Sequence, residues 1–145
     1  MRYFTLAEAQ RVLPQVERHL REALFHKPES QEAQGYLDKT VQRVRDSGGA
    51  RVNPNEILTL RARRDASISA LKEALDEIEG AGAVLKDLDI GLLDFMTRYR
   101  ERDVCLCWKL GEERIGFWHG AEDGFRGRKP IDQEFLQNHR GEEPH

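Results

Sequence analysis

A histidine and two aspartates in the C-terminal half of the chain have the side chains needed for proton transfer. Asp87, Asp94 and His119 each lie near an end of a predicted strand. A histidine beside a carboxylate can act as a general base near neutral pH. One hypothesis is therefore a small acid–base enzyme that uses His119 with Asp94 or Asp87. The alternative is that His119 caps the core through a satisfied hydrogen bond, and we favour a protein without catalytic activity.

Arginines in a glycine-rich segment point to the recognition of an anion. The segment GAEDGFRGRKPID, which follows the last predicted strand, carries Arg126 and Arg128. Glycines let the backbone approach a ligand closely, and arginine forks fit phosphate or carboxylate groups. The structural alternative is that one of these arginines ties the loop to Asp94 or Asp87 through an ion pair.

Arg64 and Trp118 are two further candidates for ligand binding. Arg64 falls in the apolar stripe of a predicted helix, where an unpaired charge would be costly. It either pairs with an acidic residue or extends to the edge of the stripe, or it forms the floor of an anion site. Trp118 is predicted on the less apolar face of a hairpin, which does not have the composition of a plain solvent face.

Cys105 and Cys107 lie two residues apart in a predicted strand, so both thiols point to the same side. A disulfide at this spacing is awkward, and reduced thiols in a cytosolic protein are the default expectation. A metal or redox sensor at the cysteines is an alternative function, with His119 and Glu122 as further ligand candidates. In the predicted hairpin, however, His119 faces away from the cysteines. We therefore predict neither a bound metal nor a cofactor.

Helices are predicted for the N-terminal part of the chain. Thr5 and Glu8 form a capping box, and apolar residues then recur at helical spacing. The segment HKPES at residues 26–30 is expected to separate this helix from a second one. A third helix is predicted from Pro54 to about Glu79.

An antiparallel sheet is predicted for the segment that follows the helices. The expected strands are residues 83–88, 92–96, 104–110 and 115–119. The segment TRYRER between the second and third strands reads as a polar loop. Pairing Leu110 with Ile115 across a four-residue loop places Leu106 opposite His119 and Trp108 opposite Phe117.

These elements indicate an α+β fold with two to three long antiparallel helices packed on a small three- to four-stranded antiparallel meander. We expect one domain over residues 1–132, with a helical part at 1–80, a meander at 82–120 and a Gly/Arg loop at 121–132. Residues 133–145 are expected to form a flexible C-terminal tail.

The composition argues against nucleic-acid and membrane partners. The 145 residues include 26 acidic and 23 basic side chains, for a net charge of −3. This balance gives no overall attraction to polyanions. No apolar run approaches the roughly 20 residues that cross a bilayer, and the N-terminus lacks a signal-peptide pattern. We expect a cytoplasmic protein.

The order of several motifs resembles an uncharacterised bacterial family, domain of unknown function 2203. The motifs are KDLDIGLLDF, CLCWKLGE, IGFWH and GFRGRKPI, and they follow a helix that begins YFTLAEAQRVLP. The resemblance covers nearly all of the chain except the tail. It implies a small cytosolic bacterial protein of helices and a short sheet, and it brings no reaction, cofactor or catalytic residue.

The favoured function is a non-enzymatic binding module. It would recognise a small anionic ligand or a protein partner at the end of the sheet. We also predict a homodimer formed through the long helices, because their apolar stripes exceed what so small a sheet can cover.

Overall fold

The computed structural model describes residues 2–49 and 53–142. The elements, in chain order, are α1 (Leu6–Asp46), α2 (Pro54–Gly80), β1 (Val84–Asp87), β2 (Leu92–Tyr99), β3 (Arg102–Lys109), β4 (Phe117–Gly120), β5 (Lys129–Pro130), α3 (Gln133–Asn138) and β6 (His139–Arg140). The predicted α+β class is confirmed, with two long helices and an antiparallel sheet. The sheet has six strands, slightly more than the predicted three or four. None of the described helices is long and apolar enough to cross a membrane.

The chain divides into two compact units. One contains the described residues of Met1–Leu20 and Asp76–His145, and the other contains those of Arg21–Leu75. The first unit therefore holds the whole sheet and α3. The prediction of a single domain over residues 1–132 stays a prediction.

The first helix begins at the predicted capping box. The N–H of Glu8 donates to Oγ1 of Thr5 at 3.1 Å, and the N–H of Thr5 donates to Oε1 of Glu8 at 2.9 Å. The hydrogen bond from the backbone of Thr5 lowers the pKa of Glu8, because it stabilises the ionised carboxylate.

The predicted break between the first two helices is wrong, because α1 continues through the segment HKPES. Its 41 residues include Pro28, which removes one backbone donor from the helix. Ala23, Ala33 and Leu37 are all buried on either side of this proline. The apolar face therefore continues across the proline, and its burial favours a helix that goes on rather than one that ends.

All strands of the sheet pair antiparallel, in the order β1-β2-β3-β4-β5, with β6 paired to the free edge of β2. The segment predicted as a polar loop forms the ends of β2 and β3 instead. Only Arg100 and Glu101 lie outside these strands, with φ angles of 52° and 65°. Two positive φ angles in a two-residue connection are typical of a tight hairpin turn whose twist matches the strands.

The register of the hairpin formed by β3 and β4 differs from the prediction by one residue. We expected Leu106 opposite His119, but Cys105 pairs with His119 and Leu106 pairs with Trp118. A shift of one residue moves every side chain of a strand to the other face. His119 therefore shares a face with both cysteines, and Trp118 lies on the opposite face.

The register is shifted because the connection between β3 and β4 is longer than the predicted four residues. Residues 110–116 lie outside the two strands. The N–H of Ile115, which we placed in a strand, donates to Oε1 of Gln10 at 2.9 Å. The indole N–H of Trp108 donates to the carbonyl oxygen of Glu112 at 3.1 Å, and Trp108 is fully buried.

Residues 133–142 include α3 and β6, where no helix or strand was predicted, and residues 143–145 lie outside the described part. The flexibility of the tail stays a prediction. The carboxylate of Asp132 accepts the N–H of Phe135 and caps α3. The ring of Phe135 is fully buried and stacks on the rings of Trp118 and His139, at centroid distances of 5.0 and 5.1 Å. The buried ring and the Asp132 cap both hold this six-residue helix in place.

Both ends of the first unit are bonded to the chain around β2. The N–H of Phe4 donates to the carbonyl oxygen of Met96 at 2.7 Å. In β6, His139 pairs with Tyr99, and its Nε2 accepts the N–H of Leu6 at 2.9 Å. The segment before α1 and the last strand therefore cover the edge of β2 that β1 leaves open.

Candidate metal centre on the sheet

Three side chains that can bind metals converge on one face of the sheet. Asp94 in β2 lies opposite Cys107 in β3, and Cys105 in β3 lies opposite His119 in β4. Residues paired in this way project from the same face of neighbouring strands. One ligand atom from each of Asp94, Cys107 and His119 lies within 4.8 Å of the other two, and all three residues are buried.

The ring of His119 is held between a carbonyl and a carboxylate. Its Nδ1 lies 2.7 Å from the carbonyl oxygen of Gly120, and its Nε2 lies 3.1 Å from Oδ1 of Asp94. A carbonyl oxygen only accepts hydrogen bonds, so Nδ1 carries a hydrogen and donates it. Nε2 and the carboxylate then need a proton between them, because two acceptors at this distance would repel each other. His119 and Asp94 therefore hold one shared proton.

The second carboxylate oxygen of Asp94 has no hydrogen-bond partner by geometry among the described residues, although side-chain hydrogen bonds with Asp94 contribute to the raised pKa of Cys105 and Cys107. Only 1% of the Asp94 side chain and 4% of the His119 side chain are exposed. A buried carboxylate oxygen without a donor is costly, and such an atom in a native structure calls for a role or a bound group. The carboxylate of Asp94 lies beside a thiol and an imidazole, and these three groups together can bind a cation.

The two cysteines are free thiols in a low-polarity environment. Burial, followed by the nearby charge of Asp94, raises the pKa of both Cys105 and Cys107 to about 12. Such thiols are poor nucleophiles near neutral pH. A metal ion would reverse this preference, because coordination stabilises the thiolate.

The separations among the three ligand atoms are slightly larger than those around a bound transition-metal ion, so the side chains would have to move closer together. Zinc lies about 2.0–2.3 Å from histidine nitrogen, carboxylate oxygen and cysteine sulfur, so donors around one ion are roughly 3.5 Å apart. The donors of Asp94, Cys107 and His119 lie within 4.8 Å of one another. Side-chain movements of about 1 Å would therefore close a three-donor shell. The bond from Nδ1 of His119 to a backbone carbonyl is the usual second contact of a metal-binding histidine.

The structure brings some of the predicted metal ligands together and leaves the others apart. Cys107 and His119 lie on the same face, contrary to our prediction, and Asp94, which we predicted only as an acid–base residue, is the third member. Cys105 shares their face, but its sulfur lies 3.6 Å from the sulfur of Met96 and outside the group of three. Glu122 is exposed in the loop after β4.

Of the two aspartates in the acid–base hypothesis, one lies beside His119 and the other does not. Asp94 is within hydrogen-bond distance of His119. Asp87 is exposed at the end of β1, where its Oδ1 accepts the N–H of Ile90 at 3.3 Å and closes a turn. Asp87 is therefore a turn residue, and only Asp94 is placed to exchange a proton with His119.

The two arginines of the Gly/Arg loop have different surroundings. Both oxygens of the Glu112 carboxylate accept hydrogen bonds from Arg128, each at 2.9 Å. The guanidinium of Arg128 also lies 3.8 Å from the ring centroid of Phe117. The ion pair expected with Asp94 or Asp87 is thus formed with Glu112, while Arg126 is exposed. Ligand binding by either arginine stays a prediction.

Arg64 and Trp118 are placed in different units. Arg64 donates to Oδ1 of Asp65 at 3.0 Å and to Oε1 of Gln34 at 3.1 Å, so its charge is paired. Trp118 is half-buried and lies between the Phe135 ring and Nζ of Lys129, which is 4.9 Å from the Trp118 ring centroid. Trp118 also lines a small cavity at the edge of the sheet.

Comparison with known proteins gave one family match. A family model described as "Uncharacterized conserved protein (DUF2203)" matches residues 2–131. Neither the curated proteins nor the solved structures gave a match. The family description names no reaction, ligand or partner, so the chemistry of the site has to supply the functional argument.

Proposed function

Because the chain belongs to the DUF2203 family, whose description assigns no activity, we propose a function from the geometry of the site. The protein is a non-enzymatic module that binds a transition-metal ion of the zinc type. Asp94, Cys107 and His119 supply the ligands.

The observation that carries this proposal is the convergence of a carboxylate, a thiol and an imidazole, all buried and each with a ligand atom within 4.8 Å of the other two. A hydrogen bond between His119 and Asp94 uses only one oxygen of the carboxylate, and it does not require the thiol of Cys107 beside it. One divalent cation would replace the shared proton, occupy the free oxygen of Asp94 and bind the sulfur of Cys107. Binding would release protons, since the thiol and the histidine–carboxylate pair each give one up.

The donor types favour a zinc-like ion over calcium or magnesium. Thiolate and imidazole ligands suit zinc and other late transition metals, whereas calcium and magnesium take oxygen ligands. Three protein ligands leave a fourth position in a tetrahedral shell. Cys105, on the same face, is the nearest further thiol along the strand and would reach this position only by leaving its contact with Met96.

Burial supports a binding role rather than catalysis. The Nε2–Oδ1 distance of 3.1 Å fits an acid–base pair, which makes catalysis by His119 and Asp94 the second candidate. A general base must reach the proton that it removes, however, and these side chains are only 4% and 1% exposed. A substrate would therefore have to displace part of the covering structure.

The test is a metal titration of protein that has been stripped with a chelator. We expect one equivalent of Zn²⁺ to raise the melting temperature, because a ligand that binds only the folded state stabilises it. Co²⁺ in place of Zn²⁺ should give the near-ultraviolet absorption of a cobalt–thiolate bond. Cys107→Ser should abolish this band and reduce affinity at least tenfold.

Cys105→Ser is the matched control, since it changes a thiol two residues away on the same strand. We expect it to keep the band and most of the affinity. Both variants should melt close to the wild-type temperature in chelator, which separates loss of binding from loss of folding. Absence of a zinc-dependent shift in the wild type, or an equal loss in both variants, would contradict the three-ligand site.

We also propose a cytoplasmic location, which the two free cysteines favour. The proposed homodimer is supported by large apolar side chains that are exposed in the second unit. These include Phe25, Leu58 and Ile68, which are 63%, 59% and 48% exposed. Exposed apolar groups of this size are common at contacts between subunits.

A further inference from the structure

The geometry points to a second binding site, separate from the metal ligands, for a small molecule that carries a phosphate or carboxylate group. The site is a cavity of about 180 Å³ at the edge of the sheet, beside the turn between β2 and β3. Six of its lining residues carry the argument: Tyr99, Arg100, Arg102, Trp118, Asp123 and Lys129. None of them was predicted as part of an anion site except Trp118.

Among the described residues, two of the three cations that line the cavity have no carboxylate partner. Arg100 forms an ion pair with Glu134. Within the described part of the chain, neither Arg102 nor Lys129 has a carboxylate at ion-pair distance, and Nζ of Lys129 lies over the ring of Trp118. Two unpaired cations beside one cavity favour an anion, and arginine fits the planar arrangement of carboxylate or phosphate oxygens.

The two aromatic rings that line the cavity, here called the aromatic wall, are held in place by contacts with a buried third ring. The rings of Tyr99 and Trp118 meet edge to face at a centroid distance of 5.1 Å. Both rings also contact Phe135, which is fully buried, at 4.8 and 5.0 Å. Because the buried ring already restricts the side chains of the aromatic wall, ligand binding costs little of their conformational entropy. The wall is thus prepared to contact the apolar part of a ligand.

The volume limits the size of the ligand. Sites for drug-sized molecules usually measure about 300–1,000 Å³, and this cavity is smaller. It fits inorganic phosphate, a short hydroxy acid or a three-carbon phosphate ester. A nucleotide would extend far outside it.

Asp123 adds a requirement for a hydrogen-bond donor. Its side chain packs against two glycines, because a Cβ atom at Gly120 or Gly127 would lie only 2.6 Å from it. This carboxylate is exposed and would repel the anionic end of a ligand while accepting a hydrogen bond from a hydroxyl group. The ligand class is therefore a small anion that also carries a hydroxyl group.

The experiment is a thermal-shift screen followed by calorimetric titration, with chelator present and ionic strength held constant with sodium chloride. The probes are inorganic phosphate, glycerol 3-phosphate, lactate and adenosine monophosphate. We expect glycerol 3-phosphate or lactate to raise the melting temperature most, and the nucleotide to bind at least tenfold more weakly. Constant ionic strength matters because screening alone changes the stability of a charged protein.

Arg102→Ala and Lys129→Ala should each weaken binding at least tenfold. Arg126→Ala is the matched control, because this exposed arginine does not line the cavity, and it should bind as the wild type does. Because a chelator is present in every titration, the result does not depend on the metal proposal. The inference is overturned if no small anion shifts the melting temperature. It is also overturned if Arg126→Ala weakens binding as much as Arg102→Ala, since general charge would then explain the effect.

Discussion

Removal of the carboxylate of Asp94 from metal-free protein should strongly reduce the free energy of unfolding. The side chains of Asp94 and His119 are 1% and 4% exposed, with 3.1 Å between Oδ1 and Nε2. If the pair is ionic, Coulomb attraction at this distance is about 5 kcal/mol for an effective dielectric constant of about 20. Desolvation offsets much of this gain while the pair is intact. Asp94→Ala leaves a buried imidazole without its acceptor, and the expected cost is about 3–5 kcal/mol.

A double-mutant cycle separates the pair from its surroundings. Asp94→Ala, His119→Ala and the double variant should be unfolded in urea with a chelator present. Because each single change leaves its former partner unsatisfied, the double variant should lose less than the sum, with a coupling energy of about 1.5–3 kcal/mol. Asp87→Ala, which changes an exposed carboxylate at a turn, is the control and should cost less than about 1 kcal/mol. Additivity of the two single changes within about 0.5 kcal/mol would refute the shared-proton pair.

Three further predictions concern the turn, the thiols and association. Glu101 has a φ of 65°, which a side chain rarely adopts without strain. Glu101→Gly should therefore raise the free energy of unfolding by about 0.5–1 kcal/mol in urea melts. No gain would mean that the turn is unstrained. Burial raises the pKa of Cys105 and Cys107 from 9.0 to about 12, so in metal-free protein these thiols stay protonated when folded and ionise when unfolded. Stability should therefore fall as pH rises above 9, by up to about 1.4 kcal/mol per pH unit for each thiol, and a double Cys→Ala variant should show a shallower decline in pH-dependent melts. Light scattering should detect a dimer that Leu58→Glu with Ile68→Glu converts to a monomer, whereas a monomeric wild type at high concentration would remove the prediction.

The fold class could be predicted because its signals are local. The capping box of Thr5 and Glu8 and the helical spacing of apolar residues are read within a few positions of the chain. The strands of the sheet have apolar runs bounded by turn residues. The break expected near Pro28 was wrong, because the burial of a continuous apolar face outweighed the loss of one backbone hydrogen bond.

The register of the hairpin could not be predicted because it depends on a distant contact. Ile115 has the composition of a strand residue, yet its N–H is bound by Gln10, which lies 105 positions earlier. The short helix α3 could not be predicted for the same reason, since Phe135 is a lone aromatic residue whose stacking partners include Trp118. Such contacts leave no pattern in the sequence nearby.

Each residue of the candidate metal centre was predicted as a functional candidate, but the sequence did not predict that the three residues lie next to one another. The predicted register placed His119 away from Cys107, and a shift of one residue brought them together. A clue did exist in the segment LLDFM, where Asp94 interrupts an otherwise apolar strand. A carboxylate at such a position needs a buried partner, and this requirement alone would have pointed to a residue on a neighbouring strand.

The attachment of residues 4–6 and 139–140 near β2 bears on how the protein can be shortened. The family match stops at residue 131, before α3 and β6. A chain trimmed to that boundary would leave the amide of Leu6 without the imidazole that accepts its hydrogen, and it would bare the rings of Tyr99 and Trp118 to water. Such a fragment should aggregate on purification, and a fusion should therefore keep residues 132–142 in place.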